Sequence, residues 1–181
     1  MDTCTKPNYP RSETSLETQL DQIQQAGYAG LTWTEGDPQE ARHIAESAEK
    51  RGMRLAAIYC GATLTKSNLV FQPAFYETIK SLSKHGTIIW LHISSADFPP
   101  SSRGGDAVAV PALREIAGIA ASNGLRVALY PHMRDYTERL QDALLQRQDE
   151  LVLRPRHVGM AEREHLDLVE LVDPEHAAGV L

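Results

Sequence analysis

The chain has 181 residues, 42% hydrophobic and 23% charged, with a net charge of −6. That length suffices for one domain with a true core, and the acidic balance argues against a nucleic-acid partner held by phosphate neutralisation. Apolar stretches fall far short of the roughly 20 residues that cross a bilayer, which excludes a membrane role. The opening "MDTCTKPNYPRSE" has no apolar core of the signal-peptide kind, so a cytoplasmic protein is expected. Cys4 and Cys60 form no CxxC or Cys/His cluster and read as reduced thiols.

Four segments in chain order share one grammar: an amphipathic helical stretch, a glycine, then a short apolar run. They are "LDQIQQAGYAGLTWTEG", "AESAEKRGMRLAAIYCG", "TIKSLSKHGTIIWLHIS" and "IAGIAASNGLRVALYPH". Gly27, Gly52, Gly86 and Gly124 stand where a helix end calls for positive φ. The runs that follow, about five residues of Val, Ile, Leu and aromatics, read as strands buried on both faces. Alternating strands and helices predict an α/β fold with a parallel sheet of about five to six βα units. The polar segments after the strands ("TEGDPQ", "CGATLTKSNLVFQPA", "SSADFPPSSRGGDAV", "PHMRDY") read as functional loops. "DYTERLQDALLQRQDE" predicts a helix with Tyr136, Leu140 and Leu144 on one face. Beyond it, "RHVGMA" is a candidate strand and "EREHLDLVELV" a candidate helix.

Chemistry-bearing residues gather at the strand ends. His132, just past "RVALY", suits an acid–base group or a metal ligand; the plainer alternative is a ring bonded to a loop carbonyl. Pro131 holds Tyr130 extended, which aims both side chains outward. His92 shares a face of its strand with Trp90 if Ile89 and Leu91 take the other; a buried histidine satisfied by backbone is the competing reading. Glu35 after "LTWT" is either a base in the same cleft or part of the next helix start, where Asp37 reads as N-cap, Pro38 as first helical residue and Glu40 as N3. Trp33 and Tyr59 are either stacking surfaces for a sugar or core residues. Arg103 in "SSRGGD" either closes over a substrate or decorates a flexible loop leading to a helix capped near Asp106. "GATLTKS" lacks the second glycine of a phosphate loop and reads as chance.

On "AGYAGLTW", "ARHIAESAEKRGMRLAAIY", "IIWLHI" and "LREIAGIAASNGLRVALYPH", the chain resembles the sugar phosphate isomerase/epimerase family of xylose-isomerase-like TIM barrels. The resemblance covers roughly residues 1–146 of a single domain 1–181, with 147–181 a diverged tail. It implies a partial (β/α)8 barrel whose strands at Leu31, Ala56, Ile89 and Ala128 are the second to fifth. It also implies a divalent metal ion (Mn, Mg, Co or Zn), commonly held by a Glu ending the fifth strand and by residues of later strands. Tyr130 stands at the position of that Glu, and His132 matches the family's histidine. The implied function is metal-assisted proton or hydride shuttling on a sugar or polyol, with His132 and Glu35 catalytic and Trp33, Tyr59, His92, Arg103 and Tyr130 on the substrate.

A complete barrel takes about 250 residues. The alternative expectation is therefore a truncated, inactive barrel remnant or binding module, with open edges that invite a homodimer. A metal-dependent DNA-repair endonuclease on the same barrel is disfavoured by the acidic balance and sparse ligands.

Overall fold

In a computed structural model, residues 15–145 and 169–171 are described. The elements run α1 (Leu16–Gln25), β1 (Gly30–Thr34), α2 (Pro38–Glu49), β2 (Arg54–Leu64), β3 (Leu69–Phe71), α3 (Phe75–Ser81), β4 (Ile88–Ser95), α4 (Asp106–Ser122), β5 (Arg126–Leu129), α5 (Leu140–Leu145) and β6 (Val169–Leu171). The sheet order is β1-β2-β4-β5-β6, with β3 hydrogen-bonded to β2. β1, β2, β4 and β5 are mutually parallel, so the α/β class with a parallel sheet holds, with four strand–helix units among the described residues.

The helix–glycine–strand grammar is realised as expected. Gly27, Gly52, Gly86 and Gly124 all have φ between 65° and 81°, a conformation that costs a side chain dearly. In α2 the buried residues Ala41, Ile44, Ala45 and Ala48 form one stripe at helical spacing. Asp37 caps α2, its Oδ1 accepting from Gln39 N at 2.9 Å, with Pro38 following as the first helical residue. Asp37→Ala should cost about 1 kcal/mol in denaturant unfolding, and an unchanged midpoint would refute that cap.

Several expectations are corrected. Burial on both faces holds in β5, where Val127, Ala128 and Leu129 are all buried, but not in β4, where Ile89, Leu91 and Ile93 are fully buried whereas Trp90, His92 and Ser94 are only half-buried. The segment after Tyr59 is not one long loop. β2 continues to Leu64 and turns through residues 65–68 into β3, with Ala62 opposite Phe71 and Leu64 opposite Leu69. Tyr136 precedes the short helix α5 rather than lying on it, and donates its backbone N–H to Ile93 O at 2.7 Å. The helix expected to be capped near Asp106 is α4, which has Gly105 as its N-cap and Asp106 as its first residue. Val169–Leu171, expected within a helix, is a strand antiparallel to β5. "RHVGMA" lies outside the described residues.

A bulge between β1 and β2 positions the site. Leu31 pairs with Leu55 but Thr32 with Ala57, which leaves Ala56 as the extra residue. One extra residue flips every later side chain to the opposite face. Ile58, Cys60, Ala62 and Leu64 therefore join Leu55 in the core under the helices, and Tyr59 and Gly61 turn to the other face beside Trp90 and His92. Cys60 is a free thiol whose ionisation burial pushes far up, so it is inert packing.

Candidate active site

The half-buried face of the sheet carries a cluster of rings. Tyr59 on β2 stacks on His92 of β4 with centroids 4.8 Å apart and planes within 4°. Trp90 meets Tyr130, the residue after β5, at 4.5 Å, and Tyr59 touches Tyr130 edge-on at 5.3 Å. The register explains the cluster, since Tyr59 pairs with Trp90 and Gly61 with His92 on adjacent parallel strands. Such a floor offers flat apolar surface to the C–H face of a small molecule.

Two titratable groups meet above Gly61. A Cβ built on Gly61 would stand 2.6 Å from His92 Nε2, so only glycine lets the imidazole lie across the strand. Glu35 follows β1 and donates its backbone N–H to Tyr59 O at 2.8 Å. Its Oε2 accepts from Gly61 N at 3.4 Å. Burial raises the Glu35 carboxyl above its ordinary range, partly offset by the Gly61 N–H and by charge on His92. On its far side, His92 Nδ1 lies 2.8 Å from Asp135 Oδ2.

The other expected site residues are placed differently. His132 is exposed, with Nδ1 at 3.1 Å from Met133 O, the loop-carbonyl contact of the plainer reading. Its ring centroid nonetheless lies 6.3 Å from that of His92. Trp33 pairs with Ile58 and packs in the core beneath the helices, so the structure does not bring it to the ring cluster. Arg103 is tied to Asp106 by a 3.0 Å ion pair. Asp135 and Gly61 were missed in the sequence reading. Asp135 was absorbed into an expected helix start, and the role of Gly61 depends on a strand register that local sequence does not reveal.

No family model matches the chain, and no curated protein is similar to it. Among solved structures it is similar to one described as a crystal structure of IOLI protein with a binding zinc atom, at 13% sequence identity and a TM-score of 0.52. The described elements form part of a (β/α)8 barrel. The likeness covers 75% of this chain and 54% of the other, so the chain spans about half that neighbour's length. At this identity the comparison shows the fold and nothing finer.

The donors among the described residues do not by themselves make a site for the divalent metal implied by the resemblance. Among the described residues no three His, Cys, Asp or Glu side chains converge. Tyr130 brings a phenol where the resemblance implies a carboxylate, and His92, whose Nδ1 faces Asp135, offers Nε2 alone as a ligand atom. Among the described residues no helix is long and apolar enough to cross a membrane.

Proposed function

We propose that the chain is a sugar isomerase/epimerase-like protein that moves a proton at a carbon next to the carbonyl of a small aldose or ketose. The observation that carries this reading is the convergence of Glu35 and His92 on Gly61, beside the ring floor of Tyr59, Trp90 and Tyr130. Enolisation needs one group to take the proton and another to protonate the developing oxyanion; an imidazole and a carboxyl of raised affinity for protons are suited to that exchange near neutral pH. The rings hold the substrate by stacking and exclude water from its apolar face. The zinc of the structural neighbour is not carried over, because no three His, Cys, Asp or Glu side chains converge among the described residues.

The test is solvent exchange. The full chain is incubated in D2O with unphosphorylated aldoses and ketoses, and deuterium uptake beside the carbonyl is followed by NMR. Glu35→Gln and His92→Gln should each slow uptake on the order of 10²- to 10⁴-fold. Saturation-transfer contacts to a sugar without exchange would favour a binding module instead.

The raised affinity of Glu35 for its proton has a stability signature. Folding favours the protonated form, so this stabilisation is complete below the ordinary glutamate range and is lost as pH rises through the folded value. Glu35→Gln should therefore be more stable than the parent at neutral pH, and the difference should close in acid. Denaturant titrations at both pH values check this, and a difference that widens in acid would contradict it.

A further inference from the structure

We infer that Asp135 is a positioning residue that holds His92 in the tautomer with its proton on Nδ1, leaving Nε2, the atom over Gly61, as the proton acceptor of the resting site. The inference deepens the proposed acid–base reading and rests on it for its catalytic consequence, though not for the tautomer itself. A carboxylate is an acceptor only, so an imidazole nitrogen 2.8 Å from Asp135 Oδ2 has to donate. That places the proton on Nδ1 and the lone pair of the neutral ring on Nε2. Stacking on Tyr59 fixes the ring plane, and the missing Cβ of Gly61 leaves Nε2 its place.

Asp135 is itself held by a compact turn after β5. Its backbone N–H donates to His132 O at 3.0 Å, and His132 N donates to Thr137 O at 3.1 Å. The next residue, Tyr136, is bonded to Ile93, one residue along β4 from His92. Arg134 takes a left-handed φ of 72°, and its N–H is met by Glu138 Oε1 at 2.9 Å. A non-glycine residue persists in that conformation only where its surroundings enforce it. The turn thus delivers a carboxylate, only 13% exposed, to a histidine on a neighbouring strand. His132 contributes to this through its backbone, whatever its imidazole does.

The experiment is nitrogen-15 NMR of the full chain labelled at histidine, with the His92 ring assigned by the signals lost in His92→Gln. The wild-type ring, in its neutral form, is expected to show a protonated Nδ1 and an unprotonated Nε2. Asp135→Ala should return it to a mixture containing the Nε2-protonated form that free imidazole prefers in water. A wild-type ring protonated on Nε2 overturns the inference without any variant, as does an Asp135→Ala ring that keeps the proton on Nδ1. Should Asp135→Ala not fold, the wild-type spectrum alone decides. Where exchange activity is found, Asp135→Ala should lower kcat on the order of 10²- to 10⁴-fold with KM changed by less than about threefold. Absence of exchange on every sugar would remove the proposed function while leaving the tautomer result standing, so the two failures are separable.

Discussion

Gly61→Ala should abolish the exchange reaction while leaving the chain folded. The new Cβ lands 2.6 Å from His92 Nε2 and 3.3 Å from its Cε1, inside any tolerable contact. The obstacle is a rigid ring clamped on two sides, by Tyr59 at 4.8 Å and by Asp135 at 2.8 Å, rather than the loose end of a flexible chain. Alanine fits the extended backbone of β2, so no conformational strain competes with the steric effect. Relief requires the imidazole to rotate away, which gives up a hydrogen bond to a charged group worth about 1.5–3 kcal/mol. Overpacking of this kind typically costs about 1–3 kcal/mol in total. Activity should fall at least on the order of 10²-fold, because the proton-transferring atom is displaced. Gly36→Ala is the control: its Cβ would meet only Glu40 Oε2, at 3.8 Å, and stability should stay within about 0.5 kcal/mol. A Gly61→Ala protein with full activity would show that His92 Nε2 is not where the chemistry happens.

The frame of this site could be read from sequence because it rests on local rules. α1, α2 and α4 each give way within three residues to a glycine at positive φ, Gly86 follows α3 at a longer distance, and the apolar run after each glycine forms a strand. The face shared by Trp90 and His92 follows from strict alternation along a regular strand. Alternation fails for Tyr59. Counting from Leu55 in steps of two puts Tyr59 and Gly61 in the core, and only the bulge at Ala56 turns them toward His92. That bulge is fixed by the pairing of β2 with β1, a contact between distant segments. The hairpin of β2 and β3 was hidden for another reason: "TKSN" is a four-residue turn without glycine or proline, so it read as the middle of a loop. Asp135 was misassigned because "DYTERLQDALL" has helical spacing, whereas Tyr136 gains more by pairing with Ile93 and burying its ring than a further helical turn would supply. In each case tertiary contact overrode local pattern.

Tyr136→Phe should be the most destabilising single-atom change next to the site. Tyr136 is 1% exposed, and its hydroxyl donates to Asp106 Oδ1 at 2.7 Å while accepting from Gly105 N at 3.1 Å. Burial and the neighbouring Asp106 carboxylate drive the phenol's ionisation far upward, so it remains a donor throughout the working pH range. Phenylalanine preserves the edge-on contact with Phe98 at 6.0 Å, and the loss is therefore confined to polar pairing. The Gly105 N–H, buried at the start of α4, is left without an acceptor, and Asp106 keeps Arg103 as its charged partner. Stranding a buried donor costs about 1–3 kcal/mol and weakening a charged pair adds to it, so a loss of about 3 kcal/mol is expected in urea unfolding with an unchanged slope. Asp106→Asn in the same background should be less than additive, since the two groups share one bond. The ring cluster lies on β2, on β4 and at the end of β5 rather than in the turn that holds Tyr136, so stacking contacts to a sugar should survive the substitution. Asp135, one residue before Tyr136, should loosen with it. Exchange should fall while sugar binding persists, and a variant as stable as the parent would mean that the Tyr136 hydroxyl holds nothing in place.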